Sequence, residues 1–157
     1  MKISGVNPKT GDTFQAEADD VTSEFIKAMS DFEMSEAGIK KLIDNLDISA
    51  DAKSALHYIS KITIRAGEFI LNIGRKIIDF VCTVFKEYPS ATFGMVFGGI
   101  VGFLITSIPI IGVVLGAIVT PIAIALGLII GSYEDLKDKK LERKIAEINA
   151  EFSPLNA

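Results

Sequence analysis

An unbroken run of 46 residues without a charged side chain, from Tyr88 to Tyr133, constrains this chain more than any other feature. One membrane-spanning helix needs about 20 apolar residues, so the run is too long for one crossing and long enough for two. Pro109 divides it, because proline lacks a backbone N–H and a glycine follows soon after. The run predicts a transmembrane helical hairpin with arms at about 92–108 and 111–131. A buried hairpin in a globular core is the alternative.

Glycines recur at four-residue intervals in both arms. In lipid, apolar burial adds little to helix association, so close approach of backbones over small residues has to supply it. The pattern therefore predicts tight packing of the arms and a homo-oligomer; glycine used only within one hairpin is the alternative. Pro121 predicts a kink in the second arm. The glycines assigned to helix packing are Gly94, Gly98, Gly102, Gly112, Gly116, Gly127 and Gly131.

The segment before the hairpin predicts one long amphipathic helix over residues 49–88. Ser49 can cap it, no proline interrupts it before Tyr88, and apolar residues follow at steps of three or four. Its second half carries a small excess of basic residues, which favours contact with anionic lipid headgroups. Packing in a helical bundle is the alternative. The candidate membrane-surface or pore-lining residues are Lys61, Arg65, Glu68, Arg75, Lys76 and Asp79.

The two ends of the chain predict smaller elements. Residues 1–48 read as a β-hairpin turning near Pro8, followed by two short amphipathic helices, the first capped by Asp19 or Asp20 and the second by Ser35. We expect a small cytosolic module there, with residues 1–46 as a site for a protein partner. Residues 134–157 predict a charged helix and a frayed tail. The fold class is thus mainly α, with a small N-terminal β-hairpin, amphipathic helices and a transmembrane hairpin at 89–133.

Several classes of function are disfavoured by the composition. The net charge of −4 and the acidic N-terminal segment offer no basic face for nucleic acid. His57 is the only histidine and Cys82 the only cysteine, so the chain has little material for a metal site or a catalytic triad. The glycines lack the lysine of a phosphate-binding loop. We therefore expect neither an enzyme nor a cofactor.

Basic residues flank the hairpin on both sides, and its turn has no charge. The positive-inside tendency then places both termini in the cytoplasm and the hairpin in the inner membrane. The N-terminus lacks the apolar segment of a secretory signal, which agrees with a cytoplasmic start.

Amphipathic helices followed by the uncharged stretch FGMVFGGIVGFLITSIPIIGVVLGAIVTPIAIALGLIIG resemble the hydrophobic hairpin of colicin-type pore-forming domains. The resemblance is one of architecture over about the last 100 residues, and it implies membrane insertion. From the hairpin, its glycines and the amphipathic helix before it, we expect a membrane-permeabilising effector that self-associates through its glycines. Two alternatives stay open: a membrane-anchored scaffold whose N-terminal module recruits a partner, and an immunity or inhibitor protein acting in the membrane.

Overall fold

The computed structural model describes residues 1–30, 35–88, 92–125 and 139–156. This part is mainly helical with a small antiparallel sheet, as the sequence predicted. The strands are β1 (Lys2–Val6), β2 (Thr13–Glu17), β3 (Ile64–Ala66) and β4 (Phe69–Leu71). The helices are α1 (Ser23–Ser30), α2 (Glu36–Asp44), α3 (Ala50–Ser60), α4 (Ile73–Glu87), α5 (Phe93–Ser107), α6 (Pro109–Ala125) and α7 (Lys139–Phe152), and a 3-10 turn follows at Ser153–Leu155.

The predicted N-terminal hairpin is confirmed. β1 and β2 pair in antiparallel register, and Gly11 closes their connection with a φ of 76°, a conformation that glycine adopts without strain. The side-chain oxygen of Asn7 accepts the backbone N–H groups of Lys9 at 2.9 Å and Thr10 at 3.1 Å. The turn thus follows from the local preference of asparagine and glycine.

The single helix predicted over residues 49–88 is wrong. α3 begins after its cap Ser49 as expected, but β3 and β4 separate it from α4. Buried and exposed side chains alternate from Ile62 to Ala66, which is the period of a strand, and Gly67 then turns the chain with a φ of 60°. Two apolar residues four positions apart lie on the same face of a helix and also on the same face of a strand. The spacing alone therefore did not distinguish the two structures.

The sheet joins strands from two segments that the sequence treated separately, residues 1–48 and residues 49–88. Its order is β2-β1-β3-β4, and Ile3 of β1 lies opposite Ala66 of β3. β1 and β2 also contact α6. Gly5 allows close approach of β1 to α6, because a Cβ atom there would lie 2.7 Å from Cγ1 of Val114 and would force that side chain to move. The N-terminal strands are therefore packed directly on the hydrophobic hairpin.

The caps of the first helices agree with the sequence in two of three places. Ser35 caps α2 and Ser49 caps α3, each by accepting a backbone N–H. α1 is capped by Thr22, whose hydroxyl accepts the Phe25 N–H at 3.2 Å, whereas Asp19 or Asp20 was expected. Thr22 has the advantage of immediately preceding the helix.

α5 and α6 form the predicted helical hairpin, and they lie in the core. α5 contacts α4 and α7, while α6 contacts α3, β1 and β2. Pro109 is the first residue of α6, where its missing N–H is not needed, and Ile108 before it is extended. In the part of the chain that the structure describes, none of the helices is both long enough and apolar enough to cross a membrane.

The C-terminal segment ends in an ordered turn, so the prediction of a frayed tail is wrong. Leu155 is fully buried within the 3-10 turn, and Phe152 before it is buried as well. Two apolar side chains at the end of the chain have enough area to hold it on the core. The start of the last helix, expected near residue 132, lies outside the described residues.

Candidate membrane-insertion hairpin

The candidate site is the α5–α6 hairpin together with the elements that cover it. Neither helix carries a charged side chain. The Thr106 hydroxyl is exposed but bonds to its own helix, 3.2 Å from the Gly102 carbonyl oxygen and 3.1 Å from that of Phe103. A hydroxyl satisfied in this way has no need of water. The chemistry of the hairpin is therefore close to that of a membrane segment.

The predicted packing glycines are divided between two environments. A Cβ atom at Gly112 would lie 2.8 Å from the Ile105 carbonyl oxygen, so this glycine permits the tight contact between the arms. At Gly102 and Gly116 a Cβ atom would meet nothing within 4 Å. Their faces of the hairpin are thus open in the described structure.

The remaining assigned residues of the hairpin are placed as follows. Gly94 is buried and Gly98 half-buried on α5. Gly127 and Gly131 lie outside the described residues. Pro121 falls within α6, and the kink expected there stays a prediction.

α4 is an amphipathic helix whose apolar face covers one side of α5. Its buried residues recur at helical spacing. Phe85 of α4 meets Phe93 edge to face with ring centroids 5.5 Å apart, and Phe93 stacks on Phe97 at 6.2 Å. α4 also contacts α2 and α3, and its residues buried among these three helices are Ile73, Gly74, Ile77, Ile78, Val81, Cys82 and Val84.

α7 covers another side of α5 and lies next to α4. Phe152 meets Phe80 edge to face at 5.8 Å, and the Tyr88 hydroxyl donates to the Lys140 carbonyl oxygen at 3.3 Å. Asn149 is 7% exposed in this interface. Its amide nitrogen donates to the Ile145 carbonyl oxygen, and within the described part of the chain its Oδ1 has no hydrogen-bond partner. An unsatisfied buried acceptor weakens the packing of the helix that carries it.

A buried hydrogen bond ties the sheet to the hairpin. Asn7 is 3% exposed, and its Nδ2 donates to the Val113 carbonyl oxygen of α6 at 2.8 Å. The Oδ1 of the same side chain holds the β1–β2 turn, so one residue fixes both the turn and its position on α6. The sequence predicted the turn near Pro8 but not this bond, because the partner of Asn7 lies 106 residues further along the chain.

The six charged residues proposed for the membrane surface or a pore do not form one face. Lys61, Arg65 and Glu68 are exposed on and beside β3, whereas Arg75, Lys76 and Asp79 are half-buried on α4. They were grouped on a helix that does not exist. In this fold the six residues therefore do not share the single helix face on which the sequence placed them.

Burial changes the proton affinity of two groups on α4. It raises the pKa of the Asp79 carboxyl above its ordinary value, an effect that the charges of Lys76 and Lys86 oppose. It also raises the pKa of the Cys82 thiol to about 11, so the thiolate is scarce at neutral pH. Cys82 is 3% exposed, in agreement with a packing role.

His57 pairs with Asp44, its Nε2 lying 2.8 Å from Oδ1, at the exposed ends of α3 and α2. No group of three metal-ligating side chains is found in the described ranges.

No protein-family model, curated protein or solved structure matches the chain. Function is therefore inferred from the residues and contacts described above.

Proposed function

We propose that this protein stores a hydrophobic hairpin under an amphipathic cover and inserts that hairpin into a lipid bilayer, which it then permeabilises. The observation that carries the proposal is the covered state of α5 and α6. Two helices without a charge are packed against α3, α4, α7 and the sheet, which cover much of their surface. The resemblance to colicin-type pore-forming domains, which implies membrane insertion, supports the same proposal.

Exchange of the cover for lipid is chemically reasonable, because the cover holds the hairpin largely through apolar side chains. Lipid tails replace such contacts at little cost, and each Leu, Ile, Val or Phe near the bilayer centre favours insertion by about 0.3–0.6 kcal/mol. The Asn7 hydrogen bond to Val113 has to break on release. The loss is modest, because a neutral hydrogen bond contributes on the order of 1 kcal/mol.

When the hairpin is released, α4 exposes its apolar face beside the charged face of the same helix. α4 can then lie at the membrane surface with its buried stripe in the lipid and Arg75, Lys76 and Asp79 in the headgroup region. The hairpin itself has few polar side chains to line a water path. We propose that α4 supplies them, in place of the six-residue set that the sequence suggested.

We further propose that hairpins contact one another in the bilayer through the open helix faces at Gly102 and Gly116. In the covered structure these glycines have space beside them, and in lipid they permit close approach of helices. The membrane is expected to be the inner membrane with both termini in the cytoplasm, as the flanking basic residues favour.

Release of a trapped dye from lipid vesicles tests the proposal. The wild-type protein is expected to empty vesicles, and Gly102→Leu is expected to reduce release at least tenfold. The covered fold should tolerate that substitution, because the site is open and leucine favours a helix over glycine by about 1 kcal/mol. If Gly102→Leu is as thermally stable as the wild type but no longer releases dye, the substitution impairs assembly in the membrane and not folding.

Ser107→Leu is the matched control, because it adds the same side chain at another exposed site of α5. We expect it to release dye like the wild type. Vesicles that stay sealed at high protein load would contradict the proposal. Equal release by wild type and Gly102→Leu would contradict the proposed role of the glycines in assembly.

The scaffold alternative, in which residues 1–46 recruit a partner, is less favoured. β1 pairs with β3 and packs on α6, so the N-terminal strands are part of the hairpin cover. A separate recruiting module would not need that connection.

A further inference from the structure

A cavity of about 410 Å³ lies where β1 and β3 meet the end of α3, and hairpin insertion does not use it. We call it the basic cavity. Its walls combine cationic, aromatic and apolar side chains with the backbone of β1. The residues that line it are Ser4, Gly5, Val6, Pro8, Tyr58, Lys61, Ile62, Thr63 and Arg65.

The charge of this cavity is positive. Lys61 and Arg65 form part of its wall, and Lys9 extends over the Tyr58 ring, with Nζ 6.0 Å from the ring centroid. No carboxylate is among the lining residues. Among the described residues, none of these three cations forms an ion pair. Cations left without a counterion at a concave site favour an anionic ligand.

The rim of the cavity is apolar. Val6 is 54% exposed and Tyr58 is 38% exposed, although both are large side chains that ordinarily seek burial. Exposed apolar and aromatic groups beside basic residues are typical of surfaces that rest on a membrane, with tyrosine at headgroup level. A free phosphate ion would use the cations and leave this rim exposed. A lipid headgroup in a bilayer uses both.

We propose that the basic cavity binds the phosphate of an anionic phospholipid and docks the covered protein on the membrane before the hairpin leaves its cover. The inference rests on the proposed function for the step that follows docking. The position of the cavity suits that order. β1 forms one wall of the cavity and also packs on α6, and Asn7, next to Val6, bonds to Val113. Lipid at this site therefore contacts the same strand that holds the hairpin.

Co-sedimentation with vesicles of phosphatidylglycerol and phosphatidylcholine tests docking. A basic residue near an anionic surface strengthens binding about fivefold, so Lys61→Gln with Arg65→Gln should weaken it about 30-fold. The matched control is Lys27→Gln with Arg143→Gln, which removes the same charges at exposed sites on α1 and α7. We expect the control to bind within about threefold of the wild type. Equal loss in both double variants would overturn the proposal, because it would show diffuse attraction without a site.

Two further arms identify the ligand and separate this inference from the proposed function. Binding should be weak on pure phosphatidylcholine, and glycerol phosphate in solution should compete only at millimolar concentration. Tight capture of free glycerol phosphate would overturn lipid docking. Wild-type dye release and unchanged co-sedimentation in the Lys61→Gln, Arg65→Gln variant would leave the proposed function standing while docking at this site fails. Site-dependent docking without dye release would contradict the proposed function and retain the docking site.

Discussion

Single residues show how closely the cover is matched to the hairpin. Among the described residues, Asn7 forms hydrogen bonds through its Oδ1 in the turn and through its Nδ2 on α6, whereas the Oδ1 of Asn149 on α7 has no partner. Both are buried asparagines. One holds the cover in place and the other weakens it, because a buried polar atom without a partner is costly.

Asn149→Leu is expected to raise the free energy of unfolding by about 1–2 kcal/mol, since it replaces an unsatisfied acceptor with apolar area. Urea denaturation followed by circular dichroism measures the change. The same variant should release dye more slowly from vesicles, because α7 then leaves α5 less readily. Unchanged or lower stability would show that Asn149 is better accommodated than its contacts indicate.

Asp79 makes a contribution to stability that depends on pH. Because its pKa is raised in the folded protein, the folded state takes up a proton more readily than the unfolded state. The ionised carboxylate therefore lowers stability at neutral pH, and this penalty disappears as the pH falls through the raised pKa. Asp79→Asn should be more stable than the wild type at pH 7.

The difference in melting temperature between wild type and Asp79→Asn should narrow as the pH is lowered toward the ordinary carboxyl value of 3.8. Thermal unfolding of both proteins across this range provides the measurement. A gap that stays constant, or that widens on acidification, would contradict the assignment of the penalty to the buried carboxylate.

At the scale of elements, the sequence predicted those structures whose signals are local. The turn near Asn7, the caps Ser35 and Ser49, and the division of the hairpin at Pro109 each depend on neighbouring residues. β3 and β4 were missed, because apolar residues four positions apart fit a helix as well as a strand, and such short strands offer few further positions to decide.

The candidate site was predicted only in its central part. The uncharged run identified the hairpin, but nothing local to it indicated which elements would cover it. The pairing of β1 with β3 and the bond from Asn7 to Val113 join residues far apart in the chain. The basic cavity depends on the same long-range pairing. The sequence identified Lys61 and Arg65 by their charge, but it did not show that the Tyr58 ring and β1 form a cavity with them.

For the whole molecule, the central claim is a change of partner for α5 and α6. In the described structure these helices contact α3, α4, α7 and the sheet, and in the proposed state they contact lipid. The amphipathic elements serve both states, because a face that covers a hairpin can also cover a membrane surface. A ligand shifts such an equilibrium only as far as it favours one state, and here the bilayer is that ligand.

The most direct measurement places a polarity-sensitive fluorophore on the hairpin and asks whether it enters lipid. Ala117→Cys, in a Cys82→Ala background, puts the label at an exposed site of α6, where it leaves the covered fold undisturbed. A second protein carries the label at Lys27→Cys on α1 as the control. We predict that anionic vesicles shift the emission of the α6 label to the blue and that nitroxides deep in the bilayer quench it, while the α1 label stays in water. Vesicle-bound protein whose α6 label escapes deep quenching would contradict the account.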